Sequence, residues 1–270
     1  MFIQPIPIFQ DNYIWLIINP KNKSVIAVDP GDAKPLLHFL KENQLLLDAI
    51  FITHHHADHT GGISELLNHF SVNVYGPKSE NIAGVSHPVS EPDLFALSSV
   101  NKSNHSETAI MDSVSVVEVL DLPGHTLGHI AYYIPGHLFC GDTLFSAGCG
   151  RIFEGTPEQM FRSLQKIRAL PNDTNIYCTH EYTLQNLKFA QTVEPSNQKI
   201  RNKLQGVLEL GRSNIPTLPT LLRIEKQVNP FLRCHVKEVV FHVEQHFGLK
   251  FSDSVHVFQY LREWKNHFTG

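Results

Sequence analysis

The 270-residue sequence predicts an α/β fold in which sheets are covered by helices, followed by a smaller, all-helical part. Three observations carry this expectation. As far as residue 178, short apolar runs ending in turn residues alternate with stretches of helical spacing. After His180, helical spacing takes over. Each group of metal-ligating residue types directly follows a strand-like run, the arrangement by which α/β proteins bring side chains from several strand ends into one crevice.

Taken in order, residues 14–18 and 25–28 are too short for buried helices and read as strands. A helix over 33–43, a strand over 49–53, a helix over 62–70 and a strand over 72–75 follow. Residues 77–113 are rich in Ser, Asn and Pro and read as loops or irregular pairing. Strands are expected at 114–122, 130–134 and 137–140. The next helix opens at Thr156-Pro157-Glu158, where Thr can cap and Pro suits the first turn. A strand at 175–178 completes the mixed part. Helices are then expected over 184–193, 198–210, 236–246 and 252–268. The change of texture sets a boundary at residue 180, giving a catalytic domain over 1–180 and a helical domain over 181–270.

Composition narrows the function classes. Apolar residues at 42% and charged residues at 18% exclude a disordered chain, and a net charge of -4 offers no basic footprint for nucleic acid. Residues 1–8 lack a basic stretch and contain Pro5 and Pro7, so a signal peptide is not expected. No apolar run is long enough for a membrane span. Cys140, Cys149, Cys178 and Cys234 form no CxxC pair, which fits reduced thiols in a cytoplasmic protein. A monomer acting on a small molecule is the expectation.

The densest signal is Thr53-His54-His55-His56-Ala57-Asp58-His59, followed by Gly61-Gly62. In an extended or turning backbone His54 and His56 point the same way and can grip one ion, while Asp58 and His59 face another position. His125, Asp142 and His180 follow three further strand-like runs. The favoured division gives His54, His56 and His125 to one ion and Asp58, His59 and His180 to the other, with Asp142 and a hydroxide bridging both. Two divalent ions per chain are therefore expected; imidazole and carboxylate suit zinc, iron or manganese alike. Such a pair leaves a formal charge of about +1 after two carboxylates and a hydroxide, enough to polarise a carbonyl oxygen. Hydrolysis is the natural reaction, with Asp58 also orienting the nucleophile.

Blander readings compete at single positions. His125 or His180 alone would be a hydrogen-bonded loop histidine, and Asp142 alone a turn residue or helix cap. His129 competes with His125 for the ligand role. His55 reads as a supporting or packing residue, and Asp29 as either the support of a ligand histidine or a plain turn.

The His54–His59 segment resembles the THxHxDH signature of the metallo-β-lactamase superfamily, with Gly124-His125-Thr126, Gly141-Asp142-Thr143 and Thr179-His180-Glu181 matching its other ligand motifs. That resemblance implies an αββα sandwich with a two-metal site at one edge. Residues 141–155 and 179–190, with the helical tail, more closely resemble the glyoxalase II (hydroxyacylglutathione hydrolase) family. The implied function is thioester hydrolysis of S-D-lactoylglutathione in methylglyoxal detoxification. By the same resemblance Arg151, Tyr182, Arg262 and Lys265 would hold the anionic tripeptide. Phe153 departs from the tyrosine common there. The alternatives weighed are a mononuclear iron glutathione-persulfide dioxygenase and a nuclease of the superfamily; a helical tail carrying Arg262 and Lys265 favours the hydrolase.

Overall fold

The computed structural model describes residues 1–97 and 116–270. The beginning of the strand expected at 114–122 and residues 98–113 of the irregular stretch expected at 77–113 lie outside the described residues. By packing, the chain divides into two compact units: residues 1–121 with 128–141, and residues 122–127 with 142–270.

The first unit opens with β1 (Phe2–Ile8), β2 (Asn12–Asn19) and β3 (Ser24–Val28), an antiparallel run. Pro5 and Pro7 are tolerated in β1 because it is the edge strand, where a missing N–H leaves no inner ladder bond unmade. Helix α1 (Ala33–Asn43) follows, capped by Asp32, whose side chain accepts from the Lys34 backbone N–H. After it come β4 (Leu46–Phe51), the single turn α2 (Ala57–Thr60), α3 (Ile63–His69), β5 (Asn73–Pro77) and β6 (His87–Val89). Strands β3 to β6 pair in parallel, so one mixed sheet runs β1-β2-β3-β4-β5-β6. A second, antiparallel set follows, β7 (Leu94–Ala96), β8 (Val116–Asp121), β9 (Ile130–Ile134) and β10 (His137–Gly141).

Alternation along β2 shows how the layers bury their faces. Ile14, Leu16 and Ile18 join Leu36, Leu40, Ile63 and Leu66 in the core beneath α1 and α3. On the opposite face, the Phe51 ring of β4 stacks on Tyr132 of β9 at 4.5 Å, and the Tyr132 hydroxyl donates to the Ile52 carbonyl at 2.9 Å. Phe95 meets Phe51 edge-on and stacks on Tyr75, filling the space between the two sheets with aromatic rings. Helix, sheet and sheet therefore form three layers within this unit.

The second unit contains the hairpin β11 (Leu144–Phe145) and β12 (Gly148–Cys149), α4 (Pro157–Ala169), β13 (Asn175–Cys178), α5 (Thr183–Val193) and α6 (Gln198–Arg212). Then follow β14 (Thr220–Leu221), antiparallel to β13, α7 (Leu222–Val228), a 3₁₀ turn at Pro230–Leu232, α8 (Lys237–Phe247) and α9 (Ser254–Asn266). Thr156 caps α4 in a reciprocal box with Gln159, and Pro157 occupies the first turn. Leu187, Ala190, Ile200, Val207 and Val228 pack on Ala147, so the helices bear directly on the hairpin. Phe161 of α4 packs against Phe258 of α9, which groups α4 with the helices that follow it.

Candidate metal and anion-binding site

In the first unit the ligand candidates occupy the loop leaving β4 and the turn α2. His54 and His59 are fully buried. His56 is the N-cap of α2, and Asp58 lies in its first turn, where a carboxylate is favoured by the turn's exposed N–H groups. The chain bends at Thr53 and His54 and is helical beyond His56. The ring atoms His54 Nε2 and His56 Nδ1 lie 3.0 Å apart, and Asp58 Oδ2 lies 3.5 Å from His59 Nε2. The donor atoms of His54 and His59 also fall within 4.8 Å of one another. His129 stacks on His54 at 4.7 Å, a supporting ring against the ligand candidate. His55 turns aside to Glu80, with Nδ1 3.1 Å from Oε2.

Asp29 is the support of this group. It sits at the end of β3 with a left-handed backbone (φ 50°), a conformation costing roughly 1 kcal/mol that persists only where neighbours hold it. Its Oδ1 accepts from the Thr53 N–H at 2.8 Å, and its Oδ2 from the Thr53 hydroxyl at 2.7 Å and from His59 Nδ1 at 2.9 Å. A carboxylate on Nδ1 fixes the tautomer with the proton there, so that His59 Nε2 carries the lone pair. Gly31, two residues on, has no room for a side chain, since a Cβ would lie 1.9 Å from the Asp58 carbonyl oxygen.

The second unit contributes His125, Asp142 and His180, all buried. Asp142 Oδ2 lies 3.5 Å from His125 Nε2 and 3.3 Å from His180 Nε2. The His125 Nδ1 donates to the Arg151 carbonyl at 2.8 Å, again leaving Nε2 as the lone-pair atom. The loop carrying Arg151 is held in turn: the Phe153 N–H donates to the His125 carbonyl, and the Glu154 carboxylate accepts from the Leu127 N–H. Gly150 is obligatory here, because a Cβ would meet the Asp142 carbonyl oxygen at 2.0 Å. The His180 and Tyr182 rings stack at 4.7 Å and 6°, with Phe145 edge-on to both.

The donor set fits divalent ions. Imidazole nitrogens and carboxylate oxygens dominate it, and two of the imidazoles, His59 and His125, each point the second nitrogen at a protein acceptor, the usual support of a metal-ligating histidine. Within each unit the sequence-predicted ligands are neighbours.

An open cavity of roughly 480 Å³ within the second unit is lined by His125 and Asp142 together with Phe145, Phe153, Tyr182 and the cations Arg151, Arg262 and Lys265. All four residues expected to hold an anion therefore border one space. They differ in setting. Arg151 is exposed, whereas Arg262 is buried, donates Nη1 to the Cys149 carbonyl at 2.7 Å and lies over the Phe231 ring. The buried Nε of Arg262 has no hydrogen-bond partner among the described residues. Lys265 lies between the Phe189 and Phe268 rings and donates to the Gln185 carbonyl. Burial, and then the positive charge of Arg262, pull the Lys265 ammonium down to about 8. Burial raises the Cys149 thiol, against the pull of Arg262, so it packs rather than reacts.

Two contributors had little sequence signal. Glu225 of α7 is fully buried and accepts from the Ala147 N–H, Asn229, Thr220, Ser146 and Lys203, holding the β11–β12 hairpin from behind. Asn12, at the start of β2, donates to Asp58.

Residues 9–180 match the model of the metallo-beta-lactamase superfamily, and residues 181–268 match that of the hydroxyacylglutathione hydrolase C-terminus. The chain is 51% identical to a hydroxyacylglutathione hydrolase of Vibrio campbellii over 98% of its own length and 99% of the relative's. It is 45% identical to the one of Nitrosomonas europaea, over 98% and 96%. Among solved structures, ETHE1 from Myxococcus xanthus superposes with a TM-score of 0.62 at 22% identity, covering 96% of each chain, a likeness of fold alone.

Proposed function

The chain belongs to the hydroxyacylglutathione hydrolase family of the metallo-beta-lactamase superfamily, and on that premise we propose that it hydrolyses 2-hydroxyacylglutathione thioesters, S-D-lactoylglutathione foremost, to the 2-hydroxy acid and glutathione. One observation carries the reading: a single cavity is lined both by the ligand candidates His125 and Asp142 and by Arg151, Arg262 and Lys265. A substrate that is a reactive thioester at one end and an anionic tripeptide at the other needs that combination.

The proposed ligand sets are His54, His56 and His125 for one ion and Asp58, His59 and His180 for the other, with Asp142 shared. Zinc suits both, and iron or manganese would serve. The chemistry that two divalent ions supply when bound is a water acidic enough to attack near neutral pH and an electrophile for the carbonyl oxygen. The chain's own residues do the rest. Asp58 accepts a hydrogen bond from the attacking water and aims its lone pair at the carbonyl carbon. Asp29 and the Arg151 carbonyl keep His59 and His125 in the tautomer that offers Nε2. Arg151, Arg262, Lys265 and the Tyr182 hydroxyl hold the tripeptide by charge-assisted hydrogen bonds. As the water oxygen bonds to the carbonyl carbon and the C–S bond breaks, the glutathione sulfur leaves with the bonding pair as a thiolate stable enough to need little help from an acid. Both water protons pass to solvent, leaving the 2-hydroxy acid as its carboxylate.

The helical residues 181–270 are assigned to tripeptide binding, and the enzyme to methylglyoxal detoxification in the cytoplasm. All four cysteines are buried free thiols, and no helix among the described residues is long and apolar enough to cross a membrane. The test is release of thiol from S-D-lactoylglutathione compared with the lactoyl thioester of a small neutral thiol. Much higher kcat/KM for the glutathione thioester is expected. Equal values would reject the role of the cationic cavity, and no thiol from either would reject hydrolysis.

A further inference from the structure

Asn12 stands in the β1–β2 hairpin, where it pairs with Ile8 across the turn at residues 9–11. It is 5% exposed, an unusual burial for a carboxamide unless its hydrogen bonds are needed. Its Nδ2 donates to Asp58 Oδ2 at 2.9 Å. The same carboxylate oxygen lies 3.5 Å from His59 Nε2, the lone-pair atom that Asp29 sets up. The Asp58 side chain is 41% exposed and lines an open cleft with Phe9, Gln10, Asp11, Asn12 and Ala57. A half-exposed carboxylate on a one-turn helix has several rotamers available, and the buried amide selects one of them. In the same turn Phe9 adopts a left-handed backbone (φ 51°), unusual for an aromatic residue.

We propose that Asn12 is a positioning residue for Asp58, holding its carboxylate in the orientation that the second ion and the attacking water require. The inference rests on the hydrolase reading for its catalytic half only. An N–H on Oδ2 occupies one lone pair and stops rotation about Cβ–Cγ, so the lone pairs left to a metal or a water point in fixed directions. Partners of this kind behind a metal-binding side chain are worth about 10–100-fold in metal affinity or activity. Asp11, next in the chain, cannot substitute, having no amide to donate.

The experiment uses the full-length protein with N12A and the isosteric N12D, each alone and in a D58A background. Two quantities are read: affinity for the more weakly held ion by chelator competition, and kcat and KM for S-D-lactoylglutathione in the two variants with Asp58 intact. Expected is a 10–100-fold loss of affinity for that ion, a comparable fall in kcat, and KM within about 3-fold of the parent. In the D58A background N12A should change metal affinity by less than about 2-fold, because the residue it acts through is gone. N12D keeps the shape and removes the donor, so it carries the test if N12A fails to fold. Affinity and kcat both within about 2-fold of the parent, or the same loss in the D58A background, would overturn the proposal. Failure of the parent to hydrolyse the thioester would count against the hydrolase reading, leaving the metal-affinity comparison to decide the role of Asn12.

Discussion

Replacing Asp29 by Asn alters one atom and removes one charge, yet it attacks the arrangement beneath His59 directly. Three donors converge on the Asp29 carboxylate: the Thr53 N–H on Oδ1, and the Thr53 hydroxyl and His59 Nδ1–H on Oδ2. Asn offers one oxygen, and the backbone N–H, which cannot turn away, claims it. The new amide nitrogen then faces His59 Nδ1 as a donor. His59 can answer only by moving its proton to Nε2, which removes the lone pair needed for an ion. Three charge-assisted bonds of about 1.5–3 kcal/mol each become neutral ones of about 1 kcal/mol, so the metal-free protein should lose roughly 1.5–6 kcal/mol. Metal affinity should fall about 10–100-fold, as for other partners of ligating histidines. Chelator competition measures the second effect and urea denaturation of the metal-free protein the first. An Asp29→Asn protein that binds metal within about 2-fold of the parent would refute the assignment of Asp29 as the support of His59.

Three further outcomes follow from the second unit. Lys265 is held near a value of about 8 by burial and by Arg262, so it is charged below that pH and neutral above it; KM for the glutathione thioester should rise about 3–10-fold between pH 7 and 9.5, and K265R, which stays charged, should flatten the rise. An unchanged pH profile in K265R would show that Lys265 does not hold substrate. Glu225→Gln leaves the Lys203 ammonium beside a neutral amide in a buried network, which should cost about 3–5 kcal/mol and lower the Tm by about 6–20 °C; a loss under about 1 kcal/mol in calorimetry or denaturation would contradict this. Gly150→Ala drives a methyl into the Asp142 carbonyl, and the forced backbone shift should reduce kcat/KM by about 100-fold or more, whereas full activity would mean that the loop tolerates displacement.

Periodicity made the long helices legible. The stretches 33–43, 184–193 and 198–210 reappear as α1, α5 and α6 within two residues at each end, and Thr156-Pro157 announced α4 through capping chemistry that is entirely local. Strand β1 was illegible because Pro5 and Pro7 argue against a strand unless it is known to be an edge, and edge position is a property of the sheet. The turn α2 is one turn long, too short for a period, so the sequence showed an extended or turning ligand segment but not the helical turn Ala57–Thr60 within it. Ligating residues were visible because imidazoles and carboxylates cluster in sequence after strand ends. Their supports were not: Asn12, Glu225 and the Arg151 carbonyl act through hydrogen bonds to residues 46, 78 and 26 positions away. Asp29 was visible as one of two readings, and three hydrogen bonds select the supporting role over the plain turn.

The most direct measurement combines metal analysis, thiol release and oxygen uptake on one purified sample supplied in turn with S-D-lactoylglutathione and with glutathione persulfide. Two ions per chain, stoichiometric release of glutathione and D-lactate, no oxygen uptake, and loss of turnover in D58N with metal retained are predicted. One ion per chain with oxygen consumed on glutathione persulfide, or two ions with no thiol released, would contradict a two-metal thioester hydrolase.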